Sequence, residues 1–307
     1  MSAPNNRTLT ISEEERELLR ADIILPHQVN HQNYLNKIVC GDMKEVIHRL
    51  PKGFADLIIL DPPYNLNKQF GKTTFKATKP QDYAAYLQEW FSQVVECLSP
   101  TGTLYLCGDW KSSAILQQTI AEHLTILNRI TWKRDKGRGA NLNWKNCLED
   151  IWFAVRNPKS YTFHADAVKI LHRVRAPYTL LGKAKDWQED KQGQRTRLTY
   201  ASNFWDDLTI PFWSMTENTE HPTQKPEKLL AKLILASSNQ GDTIFDPFLG
   251  SGTSAVVAKK LNRNYIGIEQ DETYAMLSVK RLRIAENDKR IQGYSKGVFH
   301  ERNVAER

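Results

Sequence analysis

Asp61-Pro62-Pro63-Tyr64 places a carboxylate, two prolines and an aromatic ring in four consecutive positions. Proline holds φ near about −65° and has no N–H to donate, so this segment leaves any preceding strand as a stiff, extended turn. Its carbonyl oxygens have no ladder to join and stay free to accept. A carboxylate and a carbonyl on rigid backbone, beside an aromatic face, match an exocyclic amino group on a flat base. Asp61 and the Pro62 carbonyl would take its two protons, and Tyr64 would stack on the ring. The tetrapeptide reads equally as a strand end with a proline turn and a core tyrosine, and by itself it does not choose.

A second set of residues is Asp246-Pro247-Phe248-Leu249-Gly250-Ser251-Gly252-Thr253. Its glycines let backbone approach a ligand closely, and the turn feeds a helix N-terminus. Nineteen residues beyond Gly250 stands Glu269, at the end of the next predicted strand and placed to accept from both hydroxyls of a ribose. The stretch is not G-x-G-x-x-G, and no Gly-Lys-Ser/Thr follows to cradle phosphates. Dinucleotides and nucleoside triphosphates therefore fit less well than an adenosine bearing a cationic sulfonium amino acid. The acids Asp42, Asp61, Asp246 and Glu269 suit that positive charge.

The elements that must carry these residues follow from apolar patterning. Strands are predicted at 36–40, 56–60, 103–107, 127–132, 151–155, 243–245 and 264–268, each a short apolar run. Helices are predicted from Met43 to Leu50, Asp82 to Leu98, Ser112 to His123, Glu227 to Ser237 and Glu272 to Ala285, with another closing at Leu261. Ser99-Pro100-Thr101-Gly102 is read as the stop of the second of these. Ser12-Glu13-Glu14-Glu15 has the form of a capping box opening a short helix. The pattern predicts an α/β fold, a seven-stranded doubly wound, Rossmann-like sheet with an inserted region. Residues 65–80 read as a functional flap, because long polar loops beside a site seldom serve as plain linkers. From 157 to 200 periodicity is lost, and the tail after 286 reads as basic and irregular.

The chain has 307 residues and a net charge of +7. Between Arg156 and Tyr200 ten Lys/Arg stand against four Asp/Glu, so most of the excess lies in that stretch. A localised basic field points to a polyanion, although a solvated loop would look the same. No run approaches the length of a membrane span, and the first residues lack a secretory pattern. Cys40, Cys97, Cys107 and Cys147 form no C-x-x-C pair and read as thiols of a reducing cytosol. No metal-ligand cluster is visible, so no metal is expected.

With Asp-Pro-Pro-Tyr at 61–64, His-Pro-Thr-Gln-Lys-Pro at 221–226 and Asp-Pro-Phe-x-Gly-x-Gly-Thr at 246–253, the chain resembles the S-adenosylmethionine-dependent DNA amino-methyltransferases. The catalytic motif precedes the cofactor motif, an order similar to that of the permuted β class. The resemblance covers roughly residues 36–285. It implies S-adenosylmethionine as cofactor, with Asp61, Pro62, Pro63 and Tyr64 catalytic. Phe248, Gly250, Ser251, Gly252 and Thr253 would wrap the cofactor beside Asp61 and Asp246, with Glu269 on its ribose. Asp42 would approach the adenine moiety, and Lys225 would cover the methionine end. Trp205 and Trp213 would pack near the cleft. The implied organisation is an arm at 1–35, a catalytic half at 36–156, a target-recognition region at 157–215, a cofactor half at 216–286 and a tail at 287–307.

The same resemblance implies double-stranded DNA as substrate, with the target base flipped out of the stack. Asn65, Lys133, Arg134, Lys136, Arg138, Arg173 and Arg175 are the predicted DNA contacts. An aspartate heading the tetrapeptide points to N6 of adenine, with N4 of cytosine as the alternative, because serine there more often accompanies cytosine. Cytosine C5 chemistry needs a cysteine nucleophile, in that family after a proline, and none of the four follows one. A catalytically silent DNA-binding module would show damage at Asp61 or the glycine turn, and both are intact. A cognate restriction endonuclease or an orphan role, a monomer or homodimer, and a bacterial cytoplasmic location complete the expectations.

Overall fold

The computed structural model describes residues 5–70, 73–138, 141–174, 179–181, 183–184, 186–189 and 193–301. Its centre is one mixed sheet. In chain order the strands are β1 (Ile23–Ile24), β2 (Lys37–Cys40), β3 (Ala55–Leu60), β4 (Leu98–Asp109), β5 (Thr125–Arg138), β6 (Asn146–Val155), β7 (Phe204–Trp205), β8 (Thr243–Asp246) and β9 (Asn264–Glu269). Across the sheet they run β1-β2-β9-β8-β3-β4-β6-β5-β7. The seven predicted strands are the seven central ones, and two-residue pairs extend both edges. From β1 to β4 neighbours are parallel, whereas β6 runs antiparallel to both β4 and β5.

Strand alternation sorts the core into two layers. Leu57 and Ile59 face α5 (Glu227–Ser237), α6 (Thr253–Lys260) and α7 (Glu272–Asn287), and Ile58 and Leu60 face the opposite side. That opposite side is covered by α2 (Met43–Val46), α3 (Pro80–Glu96) and α4 (Ser113–Ala121). Because β3 is buried on both faces, it reads as an unbroken apolar run. The first helix, α1 (Glu13–Arg20), has both bonds of the capping box predicted at Ser12 and Glu15.

Two local readings change. Ser99-Pro100-Thr101-Gly102 lies inside β4, because α3 has already ended at Glu96. A register shift between Ala55 and Leu57 takes up these extra residues, so the proline sits in a bulge where no ladder donor is needed. The stretch after 157 and the tail are also more regular than their patterning predicts. Ile170–Arg173, Arg195–Thr199, Gln188–Glu189, Val298–His300 and Tyr294–Ser295 form a second, five-stranded sheet. Phe299 of the tail is fully buried and pairs in parallel with Ile170, a partnership between segments too far apart for any local pattern to reveal.

The chain leaves β3 toward β4 through α3 on one face, and leaves β8 toward β9 through α6 on the other. The crossovers therefore diverge between β3 and β8, which opens a crevice at the carboxyl ends of the parallel strands. Asp61 follows β3, Asp246 ends β8 and Glu269 ends β9, so the topology brings all three to one sheet edge.

Candidate active site

A cleft of about 1340 Å³ opens at that edge. Asp42, Asp61, Pro62, Pro63, Tyr64, Lys225, Phe248, Gly250, Ser251, Thr253 and Glu269 all line it, so the two predicted constellations share one space.

At the Asp61 end, the Pro63 carbonyl accepts from the Tyr83 hydroxyl at 3.1 Å, which ties the proline turn to α3. Among the described residues the Pro62 carbonyl accepts no hydrogen bond, and it remains available. Lys225 Nζ donates to Asp61 Oδ2 at 2.5 Å and lies 3.3 Å from the Tyr64 hydroxyl. Tyr64 is within reach of two acceptors, Asp61 Oδ1 at 2.9 Å and Glu149 Oε2 at 3.2 Å. Lys225 is also 3.6 Å from Glu149 Oε2, and Arg134 pairs with Glu149 Oε1 at 2.6 Å. Burial alone would lower the Lys225 ammonium, but the Asp61 and Glu149 carboxylates outweigh it and hold it above its ordinary value. Burial raises the Tyr64 phenol, and both carboxylates add to that shift.

At the glycine end, Glu269 accepts from the backbone N–H groups of Gly250 at 2.7 Å and Asp271 at 2.8 Å. Burial nevertheless raises its carboxyl to about 7. Gly250 has φ +57°, and a Cβ there would lie 3.0 Å from the His221 ring, so the turn excludes a side chain on both counts. Phe248 packs edge-on against Trp90 at 5.0 Å, which presents an aromatic wall. Ser251 and Thr253 are held from behind by Arg281, whose guanidinium reaches the Ser251 carbonyl and Thr253 Oγ1, both at 2.9 Å. Asp42 caps α2 through the Lys44 N–H at 2.8 Å.

Several predicted residues are placed differently. Asp246 does not line the cleft: it is buried, accepts from the Phe248 N–H at 3.0 Å and Ser254 Oγ at 2.5 Å, and organises the turn. Burial raises it to about 7. Gly252 also stays behind the surface, where a Cβ would come 2.6 Å from the Ser278 Cβ. Lys225 bonds Asp61 and does not simply cover the cofactor's amino-acid end. Arg134 lines the cleft and pairs with Glu149, with over a third of its side chain still exposed. Asn65 closes the base of the flap, its amide bonding the Thr78 N–H at 2.7 Å and the Thr78 carbonyl at 2.9 Å. Lys133 and Arg173 are exposed. Lys136 and Arg138 lie on β5 with side chains outside the described residues, and Arg175 is outside them altogether. Trp205 is buried over Lys232 and Trp213 is half exposed; neither lines the cleft.

Sequence reasoning missed Glu149 and gave His221, the head of the 221–226 motif, no role. Glu149 stands opposite Asp109 of β4 and Trp132 of β5, and the antiparallel entry of β6 carries it to the active edge. Burial lowers the His221 imidazole to about 4, and its ring meets Tyr274 edge-on at 4.5 Å. Both histidine and tyrosine line the cleft. Among the described residues no cluster of three or more His, Cys, Asp or Glu could hold a metal, and no helix is long and apolar enough to cross a membrane.

A family model described as DNA methylase matches residues 55–280. The DNA adenine methyltransferase YhdJ of Escherichia coli (strain K12) is 32% identical over 254 residues, 82% of this chain and 84% of that protein. Type II methyltransferase M.HpaI of Haemophilus parainfluenzae is 32% identical over 248 residues, 80% of this chain and 74% of its own. The crystal structure of the M1.HpyAVI–SAM complex shares the fold, with a TM-score of 0.51, 24% identity and coverage of 80% of this chain and 98% of that one.

Proposed function

This chain belongs to the DNA methylase family, and on that premise we propose that it transfers a methyl group from S-adenosylmethionine to N6 of an adenine flipped out of a short duplex sequence. One observation carries the reading: the Asp61 carboxylate and the free Pro62 carbonyl share a cleft with the Gly250 turn and Glu269. The adenine assignment rests on Asp61 and on the named activity of YhdJ, a relative at 32% identity. The type II name of M.HpaI makes a cognate endonuclease the partner to seek, in a bacterial cytoplasm.

The residues present suit the cofactor. The side-chain-free Gly250 turn, the Phe248 wall and the buried Glu269 acceptor form a cradle for a nucleoside, and Asp42 lies at its rim. Bound there, S-adenosylmethionine supplies an electrophilic methyl on a cationic sulfur. The rest is the work of the chain. An aromatic amino nitrogen is a poor nucleophile because its lone pair is delocalised into the ring. Asp61 and the Pro62 carbonyl accept its two N–H bonds, draw it toward tetrahedral geometry and stabilise the positive charge that develops. Asp61 is also placed to receive the proton that the nitrogen loses. The rate enhancement is mainly positional, so the rigid proline turn and its tether to Tyr83 serve catalysis directly.

The test is transfer of labelled methyl from S-adenosylmethionine into unmethylated bacterial DNA, read by nucleoside chromatography and single-molecule mapping. We expect N6-methyladenine within one short motif, and a loss on the order of 10³-fold in D61A. N4-methylcytosine would overturn the base assignment and leave the family intact. Label in RNA alone would overturn the choice of DNA.

A further inference from the structure

We infer that Glu149 is a positioning residue: its carboxylate offers the Tyr64 hydroxyl a second acceptor, which releases Asp61 to take the amino group of the target base. This deepens the proposed function and rests on it.

The inference comes from counting protons and lone pairs. The Tyr64 hydroxyl carries one hydrogen and has two carboxylate oxygens in reach, Asp61 Oδ1 at 2.9 Å and Glu149 Oε2 at 3.2 Å. With Lys225 already on Asp61 Oδ2 at 2.5 Å, a phenol fixed on Oδ1 would leave both oxygens of that carboxylate engaged before substrate arrives. Each oxygen keeps a second lone pair, but rotation of the phenolic hydrogen to Glu149 returns to Oδ1 the lone pair and the share of charge that the phenol would otherwise take, at the moment the amino group needs them. Glu149 is built for that role. It is buried, its far oxygen is anchored by Arg134 at 2.6 Å, and its near oxygen faces both Tyr64 and Lys225. A plain structural ion pair with Arg134 needs neither of the last two contacts.

Glu149→Gln tests this. Arg134 demands an oxygen, so the amide would turn its NH₂ toward Tyr64, where it cannot accept, and the phenol would lock onto Asp61. Single-turnover methyl transfer to a duplex should slow roughly 10–100-fold, the range for one charge-assisted hydrogen bond. Binding of S-adenosylmethionine and of the duplex should stay within about threefold. In a Y64F background, where there is no hydroxyl to compete, the same substitution should cost under about threefold. An E149Q rate equal to wild type, or an equal cost in both backgrounds, overturns the inference. If E149Q does not fold, E149D is read instead. It keeps the charge beside Arg134 and retracts from Tyr64, so it should show a smaller slowing that Y64F again suppresses; equal cost in both backgrounds overturns the inference there too. A wild-type chain that leaves adenine unmodified in every duplex fails the functional reading itself, a result separate from any ratio among the variants.

Discussion

The two ends of the cleft use the same residue type against opposite partners. At one end Asp61 and Glu149 are matched by Lys225 and Arg134 through three ion contacts at or below 3.6 Å, two of them at or below 2.6 Å. At the other end Glu269, and Asp246 behind the cleft wall, are held by neutral donors: the N–H groups of Gly250, Asp271 and Phe248 and the hydroxyl of Ser254. Cations compensate a buried carboxylate's lost hydration far better than amides do. Burial therefore raises Glu269 and Asp246 to about 7. The difference suits the two tasks. A site that must organise an amino group as positive charge develops needs fixed charge in balance, whereas Glu269, placed for the neutral hydroxyls of a ribose, needs no cation beside it.

The comparison breaks most visibly at Lys225. K225M removes the cation that Asp61 and Glu149 share, leaving two carboxylates facing one phenol. We expect methyl transfer to fall about 100-fold and unfolding free energy to drop by roughly 3 kcal/mol. Stopped single-turnover assays and denaturant titration would check the two effects. Unchanged values in both would show that the paired end does not depend on pairing. At the neutral-donor end, G252A forces a Cβ to within 2.6 Å of the Ser278 Cβ at φ +83°. It should destabilise the turn by about 2 kcal/mol and weaken S-adenosylmethionine binding, measured by calorimetry.

The smallest effect sharpens the contrast through pH. With Glu269 at about 7, its carboxylate form, the better acceptor for two hydroxyls, grows as pH rises from 6 to 8. Affinity for S-adenosylmethionine should therefore increase several-fold over that interval, on the order of the change in ionised fraction, and E269Q should flatten the profile. The sign for stability is the reverse. The unfolded carboxyl loses its proton near about 4.3 while the folded one keeps it to about 7, so this group's burial costs more stability as pH climbs between those values. An affinity that stays flat in the wild type would refute the role given to Glu269.

The two constellations differ also in how they could be read. Asp61-Pro62-Pro63-Tyr64 and the 246–253 turn are contiguous, and the residue types state their own geometry: proline fixes φ, and Gly250 takes a conformation that side chains avoid. Each also ends a strand whose apolar run is plain. Phenol and lysine are a different matter. Tyr64 was legible as an aromatic face, but its hydroxyl's place among Asp61, Glu149 and Lys225 depends on residues 85 and 161 positions away. Arg134 was legible as a cation beside the cleft, and only the Glu149 carboxylate across the hairpin turned it inward. The strands at 170–173 and 298–300 carry weak patterns because each is short and half covered, and they become a sheet only by meeting.

By itself the amino-acid order determined the seven central strands, most of the helices, and which two short segments hold backbone in conformations fit for an amino group and a nucleoside. These are consequences of local sterics and of apolar period, which act over a few residues. Only the tertiary structure decided which charges neutralise one another. It set Glu149 opposite Asp61, drew Lys225 between them, and withdrew Asp246 and Gly252 behind the cleft wall. Ion pairing and burial depend on distance in space, and the antiparallel entry of β6 and the crossover between β3 and β8 set those distances.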